Sequence, residues 1–160
     1  MYDRTYGSNF NREMSTTDVA KQVRSWITAQ KKAGHFPKEL KVSVRSQYFS
    51  GGSSIDASIT QVPADWDLFN REWFETVERH GFCALRHDCA KYSAQVEKIR
   101  AEVKAYIDSF NYDGSETQVD YFDVNFYFHG VEIDWRNYSE VERAYRESIK
   151  AEIEAEQVNQ

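Results

Sequence analysis

The stretch HGFCALRHDC gathers His80, Cys83, His87 and Cys89 within ten residues. Two thiolates and two imidazoles are a donor set that tetrahedral zinc accepts. The spacing matches no zinc knuckle or finger, and one short segment wrapping an ion would draw little hydrogen-bond support from elsewhere. The competing expectation is a loop between two helices, with Cys83 and Leu85 buried and the histidines solvated. Cys83 and His87 can also be written as nucleophile and base. Such a pair needs an orienting third group and an oxyanion site, and the sequence shows neither. Asp120 and Asp123 lie an odd number apart, so a regular strand would set them on opposite faces and spoil them as an acid–base pair. No catalytic residue is assigned, and no cofactor is expected.

A second chemical candidate is FSGGSSID, Phe49 to Asp56. A glycine loop that cradles phosphate requires a following helix and a lysine beside the hydroxyl. Here the next residues, IDASIT, alternate like a strand. A hairpin tip, with glycine supplying positive φ, is the expectation for Ser50 to Ser54. A ligand contact through exposed backbone amides is the alternative.

The elements that would position these groups follow from periodicity. Residues 1–14 are polar and aperiodic and are expected to form a flexible tail ahead of one domain, 15–160. In STTDVAKQVRSWITAQKKAG, hydroxyl caps, an early Asp and late lysines frame an amphipathic helix carrying Val19, Val23, Trp26 and Ile27. Leu40, Val42 and Val44, then Ile55, Ala57 and Ile59, alternate with polar residues and predict an antiparallel pair. A helix is expected from near Asp65 through Trp66, Phe69, Trp73 and Val77, and another after Ser93 with Val96, Ile99, Val103 and Ile107. Phe122, Val124, Phe126 and Phe128 share one face of what reads as the longest strand, with a phase slip at Gly130 that predicts a bulge or bend. Ser139 and Glu142 form a capping box before a charged helix over 139–157, whose thin apolar stripe serves either packing or dimerisation. The expected architecture is α+β, a small antiparallel sheet of hairpin plus long strand covered on one face by helices, in the order α-β-β-α-α-β-α.

With 160 residues, a formal net charge of −6 and 15% aromatics, the chain is long enough for one core, and its charge argues against broad affinity for nucleic acid. No apolar run approaches a membrane span or a signal core, so a cytoplasmic protein with two free thiols is expected. If helices cover the apolar side of the sheet, the other side presents Ser43, Arg45, Gln47, Asp56, Ser58, Tyr121, Asp123, Asn125 and Tyr127 together. That face is polar and aromatic, either simply solvated or a surface for a partner.

Two segments, KVSVRSQYFSGGSSI (Lys41 to Ile55) and FNYDGSETQVDYFDVNFY (Phe110 to Tyr127), resemble the large polyvalent-protein-associated domain family, domain 29 of that series. Its members share a strand running into an aromatic-S-G-G-S-S tip and a later N-Y-D-x-S…D-Y-F-D-V-x-F-Y segment. The resemblance runs in outline from Lys38 to about Ile133. It implies context rather than chemistry, because such domains occur in large proteins of phages and conjugative elements and as short stand-alone proteins. It transfers no catalytic residue. The expectation is a non-enzymatic mobile-element protein that occludes a basic surface of a host defence or nucleic-acid-processing protein, such as a CRISPR effector or restriction enzyme. Arg45, Gln47, Tyr48, Asp113, Glu116, Asp120, Tyr121, Asp123, Asn125 and Tyr127 are its candidate contacts. The alternatives are a single-stranded nucleic-acid module using Arg45, Tyr121 and Tyr127, and a small zinc-dependent domain using His80 to Cys89.

Overall fold

The computed structural model describes residues 4–115 and 123–158. The elements run β1 (Thr5–Tyr6), α1 (Thr16–Lys32), β2 (Lys41–Phe49), β3 (Gly52–Gln61), α2 (Arg71–His80), a 3-10 turn (Phe82–Ala84), α3 (Ala94–Asp108), β4 (Tyr112–Asp113), β5 (Val131–Ile133) and α4 (Trp135–Val158). The protein is α+β, with a two-stranded antiparallel sheet, β1-β4, and a mixed sheet in the order β2-β3-β5.

The caps form as their residue types dictate. Ser15 accepts from the Asp18 amide at the start of α1, Asn70 from the Glu72 amide at α2, and Ser93 from the Val96 amide at α3. The α1 stripe of Val19, Ala20, Val23 and Ile27 and the α3 stripe of Val96, Ile99, Val103 and Ile107 are buried with Val44, Ile55, Ala57, Ile59, Val131 and Ile133 of the mixed sheet. Trp26 stacks on Tyr106 at 4.2 Å and joins the two helices. Arg24 and Lys31 of α1 donate to the carbonyls of Val44 and Leu40, each at 2.7 Å, and tie the helix to edge strand β2. Behind this core α2 packs against α4, with Arg71–Glu152, Arg79–Glu156 and Arg146–Glu78 pairs between them.

Several expectations change. The third partner of the sheet is not a long antiparallel strand: β5 has three residues and runs parallel to β3. Among the described residues, 123–130 make isolated bridges only, Val124 with Asp113 and Tyr127 with Ser54. The phase slip at Gly130 is real. Ser54 faces Tyr127 and Ala57 faces Val131, so three steps along β3 match four along its neighbour, and Gly130 takes a φ of 107°. The second helix starts at Arg71 rather than near Asp65, because Trp66 closes a turn on Pro63 and Phe69 bridges Tyr92. The last helix starts at Trp135, ahead of the Ser139 box: the Asp134 side chain accepts from the Arg136 amide, and the Asp134 amide is anchored to the Ile59 carbonyl. Residues 4–14, expected as a tail, are bonded to the end of α3 through Gly7 to Asn111 and Asn9 to Ser109, both at 2.8 Å.

Candidate functional site

FSGGSS is a hairpin tip. Phe49 pairs with Gly52 across Ser50-Gly51, and Gly52 has a φ of 143°. The serine after the glycines has a further task. The Ser53 hydroxyl is buried against the Thr16 hydroxyl at 2.7 Å, and its carbonyl accepts from the Tyr127 amide at 2.8 Å. This motif therefore joins the start of α1 to the segment that runs into β5.

From that tip the outer face of the mixed sheet extends. Alternate residues of β2 and β3 point away from the core, and the register sets Ser43 opposite Ser58, Arg45 opposite Asp56 and Gln47 opposite Ser54. Tyr127 stands beside Ser54 and Glu132 beside Ser58. The start of α4 forms the far wall, giving a shallow polar cleft of about 220 Å³ between Arg45, Asp56, Glu132 and Trp135. Aromatic rings mark both ends. Phe49 is 50% exposed and packs on Tyr127 at 5.9 Å, while Trp135 is 70% exposed with the Arg136 guanidinium 6.0 Å from its ring centre. Lys41, Arg45 and Arg136 are balanced by Asp56, Glu132 and Asp134, so the face carries both signs and little net charge. Arg45 and Asp56 are opposite each other without closing an ion pair, and among the described residues neither side chain has another partner.

The expected contact set divides. Arg45, Gln47 and Tyr127 share this outer face with Ser43, Asp56 and Ser58. Tyr48 does not: it points to the other side of the hairpin, where its hydroxyl accepts from the Thr17 amide at 3.2 Å. Hydrogen bonding from Thr17 holds its phenol below the ordinary value. Asp113, Asp123 and Asn125 lie at the small sheet instead. Asp123 pairs with Arg4 at 2.9 Å and accepts from the Tyr112 hydroxyl at 2.8 Å, so its charge is used inside the molecule. Asn125 donates to the Phe110 carbonyl at 3.2 Å. Glu116, Asp120 and Tyr121 lie outside the described residues.

Sequence reasoning missed Asn111 as a structural hub. Its side-chain oxygen accepts from the amides of Asn125 and Phe126, and its side-chain amide donates to the Phe126 carbonyl at 2.8 Å. The N-Y-D motif was visible, but a partner fourteen residues on was not.

The His80 to Cys89 stretch does not assemble a site. Among the described residues no three His, Cys, Asp or Glu side chains come together to hold a metal ion. His80, Cys83 and His87 are exposed, so Cys83 is not the buried residue expected of a loop core. Leu85 is half-buried.

These features define a class only: a small α+β protein presenting a hydrogen-bonding sheet face with aromatic ends. No family model matches the chain, and neither the curated proteins nor the solved structures gave a match. Among the described residues no helix is long and apolar enough to cross a membrane.

Proposed function

We propose that the chain is a non-enzymatic protein of a phage or other mobile element that binds a host defence or nucleic-acid-processing complex and inhibits or modulates it by covering part of its surface. The observation that carries the reading is the outer sheet face, where exposed Trp135 and Phe49 flank Arg45 and Asp56, whose side chains have no partner among the described residues. Exposed aromatic residues and arginine are enriched in protein contact surfaces. The mobile-element setting is supported by the two motifs that resemble the polyvalent-protein domain. A net charge of −6 would steer the chain toward a basic partner, with contact made by the nearly neutral face. Three carboxylates among its cations weigh against single-stranded nucleic acid as the ligand.

The test is capture from host cells by the tagged full chain, alongside Arg45→Glu and Trp135→Ala. The expected result is a nuclease, restriction or CRISPR subunit retained by the native chain and reduced more than about tenfold by either substitution. Capture of no such protein, or equal capture by all three chains, sinks the proposal.

A further inference from the structure

A cleft of about 310 Å³ opens where the α1–β2 loop and the β3–α2 connection meet one face of α3. That volume falls within the range of ligand-binding clefts, about 300–1,000 Å³. Gln95, Lys98, Ile99 and Glu102 recur at helical spacing and form the α3 wall. Pro37 and Trp66 come from the two loops and, with Ile99, make the floor apolar. Trp66 is half-buried against the core, and its indole has no ring, cation or hydrogen-bond partner among the described residues. Both loops are fixed by their own backbone bonds. The His35 and Phe36 amides reach the Gln30 carbonyl at 3.0 and 3.2 Å, and the Trp66 amide reaches the Pro63 carbonyl at 3.1 Å. The cleft is therefore shaped before a ligand arrives, which keeps the ordering cost of binding low.

The charged or titratable groups that line it are His35, Lys98 and Glu102. Glu102 lies one turn beyond Lys98 but is turned to His35, whose Nε2 is 2.6 Å from its carboxylate. Lys98 has no ion partner among the described residues, and the Gln95 side chain has no hydrogen bond among them. Gln95 is also in the first turn of α3, where the helix dipole favours an anion. We propose that this cleft binds a small aromatic carboxylate, its ring on the floor of Trp66, Pro37 and Ile99 and its carboxylate at the Lys98 ammonium and the Gln95 amide. The ring supplies buried area, and the ammonium fixes the end at which the charge sits. An anion without a ring gains only an exposed ion pair, which adds little by itself. A cation meets Lys98 and the positive end of α3, while the one carboxylate is already engaged. The assignment goes beyond the sheet-face reading and does not depend on it.

The test is an NMR titration of the full chain at low ionic strength with phenylacetate, the neutral phenylacetamide and acetate. Phenylacetate is expected to shift amide resonances of Gly34, His35, Trp66 and Gln95 to Glu102, with half-saturation at about 1 mM. Phenylacetamide, nearly equal in shape, should bind at least about threefold more weakly, and acetate more weakly still. Lys98→Gln, at an exposed helix position, should bring phenylacetate and phenylacetamide to near parity, and Trp135→Ala should leave both unchanged. Equal binding of phenylacetate and phenylacetamide by the native chain overturns the proposal, because the cleft would then read the ring alone. Acetate binding as tightly as phenylacetate, a preference for the acid that survives Lys98→Gln, shifts centred elsewhere, or no shift at about 10 mM phenylacetate also overturns it. The ligand comparison on the native chain holds whatever Lys98→Gln does to the fold.

Discussion

Asn111 does with one side chain what a strand ladder would otherwise do for residues 125 and 126. Two amides and a carbonyl of that segment are bonded to it, and Phe126 is almost fully buried. Asn111→Ala leaves these part-buried groups without their side-chain partner beside an apolar core. The expected loss is about 2–3 kcal/mol of unfolding free energy, read as a lower urea midpoint at unchanged slope. Asn111→Asp keeps the acceptor but sets a carboxylate against the Phe126 carbonyl, so it should recover only part. A loss within about 0.5 kcal/mol for Asn111→Ala would mean that the segment is held by Phe126 packing alone. Serine 53 makes the same point about legibility. Its place in S-G-G-S-S identified the hairpin, yet the bond to Thr16 depends on which helix end arrives there, and local pattern carries no such information.

At the level of elements, what was legible was whatever a single helix or hairpin decides for itself. Helices α1 and α3 and the β2–β3 hairpin follow from caps, stripes, alternation and a glycine-rich bend, although the expected bend at Ser50 to Ser54 is tightened to Ser50-Gly51 because Gly52 already pairs with Phe49. The misread elements share one cause, which is that alternation and stripes report burial rather than hydrogen bonding. Phe126 and Phe128 alternate with Asn125 and Tyr127 because one side of the segment meets the core. Its backbone bonds go to Asn111, to Ser53 and, at Ile55, back to Tyr127, not to a ladder. Likewise Trp66 and Phe69 face the core from a turn and a bridge, so their helical spacing with Trp73 was coincidental to the backbone. The N-terminal segment was missed because its anchor is the absence of a side chain. A Cβ on Gly7 would lie 2.1 Å from the Ser109 carbonyl oxygen. Gly7→Ala should therefore lift residues 4–10 away, breaking the Asn9–Ser109 bonds and separating Phe10 from Tyr112. Hydrogen exchange should show protection lost at Gly7 and Asn9 and retained in α1, β2 and β3, with a global cost of about 1–3 kcal/mol. Unchanged protection at Gly7 would show that the ribbon shifts to accommodate the methyl group.

For the molecule as a whole, charge and contact are placed on different terms. The chain carries −6 overall, while the sheet face is nearly balanced and three further ion pairs join α2 and α4. Such pairs add little stability each, about 0–1 kcal/mol. Net charge acts at long range, so it governs encounter, whereas Trp135 and Arg45 act only once surfaces touch. A basic partner retained by the native chain should therefore associate more slowly as salt rises from about 0.1 M to 1 M, where the screening length falls from about 10 Å to about 3 Å. Its dissociation rate should change far less. Trp135→Ala should do the reverse, raising dissociation more than about tenfold with little effect on association. Surface-bound kinetics at several salt concentrations separate the two. A salt-insensitive association rate would remove the basic partner from the proposal, and an unchanged dissociation rate in Trp135→Ala would move the contact off the sheet face.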